Sequence, residues 1–167
     1  MIQISMMDKA EKTLWLPRMF DLLYENMKQI APSSLDYEAE RFEFLENVSP
    51  ALDKELRQVL LAVEDGTLVG YVQYYTRQEL LMVEEVQIRK DHQNSFLFLG
   101  LCRKLMKLLP GEIDVVEAYA DVRNLRSRKF MERLGMTELP ESGHFVHLRG
   151  DANTMKKIFG ISGQTIR

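Results

Sequence analysis

The stretch of sequence that decides the fold reads Asn124-Leu-Arg-Ser-Arg-Lys-Phe-Met-Glu-Arg-Leu-Gly-Met136. Asparagine is a preferred residue just before a helix, and glycine readily takes the left-handed conformation that ends one. The stretch therefore predicts a helix over 124–134 that stops at Gly135. An apolar, strand-like run from Ile113 to Ala120 precedes it.

The segment before this strand predicts an antiparallel hairpin and a further strand. Val59–Val63 and Leu68–Tyr75 flank the pair Asp65-Gly66, a strong signal for a tight turn between strands. Leu80–Ile88 reads as a third long strand. It is followed by a loop over 89–94 and an amphipathic helix over 95–109.

The two ends of the chain predict helices and short strands. Ile2 and Ile4 indicate a weak strand, and apolar spacing predicts a helix from Pro17 to Ile30 and another from Leu35 to Glu46, before Ser49-Pro50. His144–Leu148 is predicted to close the sheet, before a short helix over 153–159. The order of elements predicts the α/β class (an α+β mixed sheet), with one sheet flanked by helices in a single domain over 1–167.

Composition excludes several classes of protein. With 167 residues and 46% hydrophobic content the chain can bury a core, so it is not a disordered tail. Its 22 basic and 25 acidic residues argue against nucleic acid as a partner. The absence of a long apolar run or a secretory signal predicts a cytoplasmic protein without a membrane partner. One cysteine, Cys102, and three histidines without ligand spacing predict no metal.

Four segments together resemble the GNAT family of acyl-CoA-dependent N-acyltransferases: 68–75, 83–88, 93–98 and 124–136. The most specific match is to the family pattern Asn-x-x-Ala/Ser-x-x-Phe-Tyr-x-x-x-Gly-Phe, met here at Asn124, Ser127, Phe130, Gly135 and, conservatively, Met136. The resemblance covers 59–148. It implies a GNAT-like acyl-CoA N-acyltransferase fold with a central, mostly antiparallel sheet, and direct transfer of an acetyl or other acyl group to a primary amine, with Cys102 as a spectator.

The resemblance implies acetyl-CoA, or another acyl-CoA, as co-substrate. The pantetheine arm is expected along the backbone of Val86, Gln87 and Ile88, between the Leu80 and Ile113 strands, much as an added strand would lie. The pyrophosphate is expected on the loop Gln93, Asn94, Ser95, Phe96, Leu97 and Phe98. Asn124 and Ser127 complete the expected cofactor-binding set.

This loop departs from the family pattern Arg/Gln-x-x-Gly-x-Gly/Ala, because Phe96 and Phe98 occupy the two small positions. Glycine lets the backbone approach phosphate oxygens closely. Two readings stay open: both rings pack into the core, or they cover the loop amides and displace the pyrophosphate toward Asn94 and Ser95.

Transfer to an amine requires a base, because an alkylammonium group has no lone pair. Glu84 is the candidate, since it shares strand parity with Leu80, Met82, Val86 and Ile88; a bulge would favour Glu85 instead. The family's acid, a tyrosine, is replaced by Met131, which leaves Tyr119 and Tyr74 as substitutes by location.

The residues that depart from the family support an alternative function. Phe96, Phe98 and Met131 favour a catalytically inactive binding or regulatory module that keeps the fold and has lost normal CoA binding.

The acceptor is expected to be a small-molecule or peptide amine. From Asp36 to Glu55 there are seven acids against two bases, where family members often recognise the acceptor, so a cationic amine is preferred. The sequence leaves a homodimer open.

Overall fold

The computed structural model describes residues 1–54, 56–93, 96–140 and 143–161. Its strands are β1 (Ile2–Met6), β2 (Arg57–Glu64), β3 (Thr67–Arg77), β4 (Leu80–Ile88), β5 (Val115–Asp121), β6 (Thr137–Leu139) and β7 (Phe145–Asp151). Its helices are α1 (Lys12–Ile30), α2 (Tyr37–Lys54), α3 (Leu97–Leu108), α4 (Leu125–Arg133) and α5 (Ala152–Ile158), with short 3-10 turns at Lys9–Glu11 and Lys90–His92.

The strands form one mixed sheet in the order β1-β2-β3-β4-β5-β7-β6. β4 and β5 run parallel, and their register pairs Leu80–Val83 with Val115–Ala118. The pairs β1–β2, β5–β7 and β6–β7 are antiparallel. The prediction of a mixed, mostly antiparallel sheet with flanking helices is therefore confirmed.

The expectation that His144–Leu148 closes the sheet is wrong. The strand there, β7, lies between β5 and β6, and β6 is the edge strand. Three residues are too few to show the alternation by which a strand is predicted from sequence.

The chain divides into two compact units, and unit 1 comprises Met1–Gln73 with Glu85–Leu101. Its core joins α1 and α2 to β2 and β3 through one cluster of buried side chains, which includes Met19, Leu22, Leu52, Leu61 and Tyr71. Asp65 and Gly66, with φ values of 48° and 78°, form the predicted hairpin turn.

Unit 2 comprises Tyr74–Glu84 and the chain from Cys102 onward. One face of its β5–β7 pair is buried and carries Val116, Ala118, Ala120 and Leu148. The α4 helix begins and ends as predicted, because the Asn124 side chain accepts a hydrogen bond from the Ser127 backbone N–H at 3.1 Å and Gly135 has a φ of 86°.

Two predicted helix boundaries are wrong. The α1 helix begins at Lys12 instead of Pro17, because Asp8 caps a 3-10 turn that leads directly into it. The α2 helix runs through Pro50 to Lys54. A proline removes one helical hydrogen bond, but the extension buries Leu52 completely, and burying a leucine contributes about 2 kcal/mol.

No helix in the part of the chain that the structure describes is long and apolar enough to cross a membrane. The single domain over 1–167 stays a prediction.

The Asn124 cap can be tested by stability. We expect Asn124→Ala to lower the free energy of unfolding by about 1 kcal/mol, because a helix N–H loses its side-chain acceptor, whereas Asn124→Ser keeps an acceptor and should lose less. Urea unfolding of the two variants measures this difference. An alanine variant as stable as the wild type would show that the cap contributes nothing.

Candidate functional site

The last carbonyl of β4 is held by two side chains in unit 1. Asn26 of α1 donates from Nδ2 to the Ile88 oxygen at 2.9 Å and to Gln87 Oε1 at 2.8 Å. Gln93 donates from Nε2 to the same Ile88 oxygen at 3.0 Å. A carbonyl oxygen has two lone pairs, so these two donors saturate it.

Glu85 belongs to the same network. Gln87 is buried, and its Nε2 donates to Glu85 Oε1. Burial, and then the negative charge of Glu85, raises the pKa of Tyr71 well above its usual value. The Glu85 carboxylate is therefore engaged with a buried amide inside unit 1.

The turn after β4 is fixed by charged groups and by a close backbone approach. His92 contacts Asp91 through Nδ1 at 2.6 Å and Glu64 of β2 through Nε2 at 3.0 Å, and these hydrogen bonds raise its pKa. A Cβ at Gly70 would lie 2.9 Å from the Ile88 side chain and 3.1 Å from the Gln87 oxygen, so β3 needs glycine there. These contacts hold the end of β4 in one position.

The predicted phosphate loop is described only in part, because Asn94 and Ser95 lie outside the described residues. Phe96 precedes α3, and its carbonyl accepts the first helical hydrogen bond from Gly100 N–H at 2.9 Å. Phe96 is 85% exposed, so the reading in which both phenylalanines pack into the core is wrong for Phe96. Phe98 is half-buried.

The helical phase of α3 explains this exposure. Leu97 and Leu101, four residues apart, are the buried residues of the first turns. Phe96, one residue before Leu97, falls off the buried side of the helix.

A cavity of about 660 Å³ lies within unit 1, lined by α1 together with Thr67, Leu68, Arg89 and Lys90. Arg89 pairs with Asp91, so part of its charge is compensated inside the protein. Asn26 contacts both this cavity and the end of β4.

In unit 2, the half-exposed side of the sheet carries polar residues. We call it the polar face and define it by Met82 of β4, Glu117 and Tyr119 of β5, and His147 and Arg149 of β7. The registers place Met82 beside Glu117, Glu117 opposite Arg149, and Tyr119 opposite His147. The alternation of buried side chains along β4 stops after Val83, so alternation does not assign Glu84 to this face. Of the predicted catalytic residues, Tyr119 is the one that the registers place on the polar face.

The polar face contains interactions that the sequence analysis missed. His147 Nε2 lies 3.0 Å from Glu117 Oε2, and the Tyr119 ring stacks on the His147 ring with centroids 4.5 Å apart. Arg149 Nη1 lies 3.5 Å from Glu117 Oε1. The sequence did contain a sign of this polar side, because polar residues recur at every second position of both strands. The pairs are Glu117 with Tyr119 and His147 with Arg149.

The α4 residues that the family pattern matched have structural contacts. Asn124 caps the helix through the Ser127 N–H. Met131, at the family's tyrosine position, is buried. The roles predicted for Asn124 and Ser127 in cofactor binding stay predictions.

Cys102 is buried, and burial raises the pKa of its thiol to about 12. A thiol in that state is a poor nucleophile, because the thiolate is the reactive form. In the described ranges, no group of three or more His, Cys, Asp or Glu residues is arranged to hold a metal ion.

The model of the acetyltransferase (GNAT) family matches residues 16–136 of this chain. That is most of its length, and the chain belongs to this family. A search of curated protein sequences gave no match.

Solved structures share the fold at low sequence identity. The PaiA N-acetyltransferase of Thermoplasma acidophilum, in complex with coenzyme A, superimposes with a TM-score of 0.73 and 13% identity, over 90% of this chain and 99% of that chain. An acetyltransferase from Thermus thermophilus gives a TM-score of 0.68 and 18% identity, over 90% and 96%. The yncA structure from Salmonella typhimurium, with its cofactor acetyl-CoA, gives a TM-score of 0.60 and 15% identity, over 91% and 94%.

The role of Asn26 can be tested with an isosteric substitution. We expect Asn26→Asp to lower the free energy of unfolding by about 2 kcal/mol or more, because it removes the donor to Ile88 and Gln87 and sets a carboxylate against two acceptors. The matched control is Asn47→Asp on the exposed side of α2, which should change stability by less than about 0.5 kcal/mol. Urea unfolding measures both, and equal effects would contradict the role of Asn26.

Proposed function

We propose that this protein is an N-acetyltransferase that moves the acetyl group of acetyl-CoA, or a related acyl group, to a primary amine by direct attack. The observation that carries the proposal is the family match over residues 16–136. Two structures of the same fold contain coenzyme A or acetyl-CoA, which supports this carrier as co-substrate. Acyl-CoA supplies an activated thioester.

The residues at the end of β4 fit the pantetheine arm, with one change from the expectation. Asn26 and Gln93 already saturate the Ile88 carbonyl, so that oxygen does not accept from the arm. The backbone of Val86, one step back along the same edge of β4, is the position that we propose for pairing with it. The exposed Phe96 ring lies outside the interior of unit 1 and offers a flat apolar surface at the start of α3.

Proton balance defines the roles of the catalytic residues. An alkylammonium acceptor has three N–H bonds and the amide product has one, so two protons must leave the nitrogen. We propose that Glu84 accepts the proton lost as the nitrogen attacks the acyl carbon and returns it to the thiolate. Glu85, the alternative base, accepts a hydrogen bond from the Gln87 side chain.

Two tyrosines, Tyr119 and Tyr74, are candidates to assist the leaving thiolate, and they differ in exposure. Met131 has no proton to donate. Tyr119 is 46% exposed on the polar face, whereas Tyr74 is buried, and burial raises its pKa. Tyr119 is therefore the better candidate to donate a hydrogen bond to the departing thiolate, which receives its proton from Glu84.

The proposed acceptor is a small-molecule or peptide amine with positive charge. The α2 helix carries Glu38, Glu43 and Glu46 at exposed positions, which favours a cationic group nearby.

A second candidate function is a binding or regulatory module that has lost transfer activity. It is favoured by the saturated Ile88 carbonyl and by the buried Met131 at the tyrosine position.

Titration calorimetry with acetyl-CoA, followed by a thiol-release assay, separates the two candidates. We expect heat of binding, and thiol release that depends on an added amine from a panel of n-butylamine, 1,4-diaminobutane, lysine amide and phenethylamine. Binding without release from any amine favours the module. The absence of both heat and thermal stabilisation at millimolar acetyl-CoA contradicts the proposed carrier and favours the module, which has lost normal CoA binding.

Glu84→Gln tests the proposed base. We expect the variant to lose about 100-fold or more in kcat at neutral pH while its affinity for acetyl-CoA changes little, because general bases contribute about 10² to 10⁴ to rates. Glu112→Gln, at an exposed loop position, is the matched control and should keep wild-type kcat. An unchanged kcat in Glu84→Gln would remove Glu84 from the mechanism.

A further inference from the structure

The turn between β4 and α3 contains a histidine whose two ring nitrogens both face carboxylates. His92 Nδ1 lies 2.6 Å from Asp91 Oδ1, and His92 Nε2 lies 3.0 Å from Glu64 Oε2 at the end of β2. The His92 side chain is only 14% exposed. An ionised carboxylate only accepts hydrogen bonds, and a neutral imidazole has a single N–H. Both contacts are therefore hydrogen bonds only when the ring is the doubly protonated imidazolium.

The charges around the ring favour this protonated form. Glu64 approaches from β2 and Asp91 from the turn itself, whereas Arg89 opposes protonation and Lys90 is exposed. Arg89 forms two hydrogen bonds with the Asp91 carboxylate, of 2.7 and 2.9 Å, so much of its charge is compensated there. The hydrogen bond to Asp91, and after it the one to Glu64, outweigh burial and raise the pKa of His92. The ring thus stays charged at pH values where an unperturbed histidine has lost its proton.

The imidazolium ties the turn to the sheet, beside the strand edge on which the carrier is proposed to dock. The Arg89 N–H donates to the Val69 carbonyl of β3 at 2.8 Å, and the His92 N–H donates to the Arg89 carbonyl at 2.8 Å. Gln93 follows His92 directly, and its side chain donates to the Ile88 carbonyl. All of these residues belong to unit 1. Gln93 is also the first residue of the predicted pyrophosphate loop, so the His92 ring anchors the start of that loop to β2.

We infer that His92, as an imidazolium bound to both Glu64 and Asp91, is a positioning residue that holds Gln93 and the end of β4 in place for acyl-CoA. Loss of the proton leaves a lone pair facing a carboxylate, so one of the two contacts breaks and fewer molecules keep this arrangement. The measured affinity for a ligand falls with the fraction of competent molecules. The contribution of His92 is complete below the ordinary histidine pKa and is lost as the pH rises through its raised pKa. This inference rests on the proposed transferase function, through its carrier.

Two substitutions that fix the charge test it. His92→Gln is neutral at every pH, whereas His92→Arg is always charged and has donors for both carboxylates. Titration calorimetry measures the Kd of acetyl-CoA at pH 6 and at pH 9. We expect His92→Gln to bind about 10-fold more weakly than the wild type at pH 6 and equally at pH 9, since one pKa unit of linkage is a factor of ten. We expect His92→Arg to match the wild type at pH 6 and to bind about 10-fold more tightly at pH 9.

The comparison is made at matched pH because the carrier titrates as well. A phosphate monoester such as the 3′-phosphate of acetyl-CoA loses its second proton at about pH 6, and this contribution cancels between a variant and the wild type. His144→Gln, at an exposed histidine of unit 2, is the matched control and should keep the wild-type Kd at both pH values.

A second measurement uses the wild type. The imidazole C–H signals in NMR, with the His92 signal assigned by its loss in His92→Gln, give the titration midpoint of the ring. We expect this midpoint to lie above that of a histidine in a short peptide, and to rise further with saturating acetyl-CoA, because binding favours the charged form. Glu64→Gln should lower it, because a neutral amide no longer stabilises the positive charge.

The outcomes are separable. If the wild type binds acetyl-CoA at neither pH, the proposed carrier fails and this inference fails with it. If the wild type binds and His92→Gln weakens binding by the same factor at both pH values, or not at all, the charge of His92 does not position the turn, while the transferase function stands. A His92 midpoint at the peptide value, or one that acetyl-CoA leaves unchanged, contradicts the inference in the same way. Circular dichroism shows whether each variant is folded, and the NMR titration of the wild type does not depend on the stability of any variant.

Discussion

The rest of the structure depends on one interaction, the pair of hydrogen bonds that Asn26 and Gln93 donate to the carbonyl of Ile88. Through it α1, the end of β4 and the residues before α3 are tied to a single oxygen atom. The close approach of Gly70 and the contacts of His92 fix the same region from the side of β3 and β2. Such a rigid strand end is what a carrier docking on backbone requires, because a mobile edge would have to be ordered on binding.

The elements that could be predicted from the sequence are those with strong local signals. The Asp65-Gly66 turn, the strand Leu80–Ile88 and the α4 helix between Asn124 and Gly135 follow from short-range backbone preferences. The path of α2 through Pro50 could not be predicted, because burial of Leu52 in the tertiary fold overrides a local helix breaker. The exposure of Phe96 depends on the phase of α3, which the burial of Leu97 and Leu101 sets.

The candidate site could be predicted from the sequence less completely than the fold. Tyr119 lies on the polar face, but Glu117 and His147 meet only through the register of β5 with β7. Asn26 was missed because it sits on the apolar side of α1, four residues after the buried Leu22. A polar residue on the apolar side of a helix indicates a buried hydrogen-bond network, and here that network surrounds the end of β4.

Hydrogen exchange of the backbone amides, followed by mass spectrometry with and without saturating acetyl-CoA, tests the central claim that the edge of β4 near Val86 docks the thioester carrier. We expect slower exchange in peptides that cover 80–88 and the start of α3, with no change in peptides from the exposed turns of α2. Saturation by acetyl-CoA with no slowing in 80–88, or with slowing confined to other elements, would contradict it.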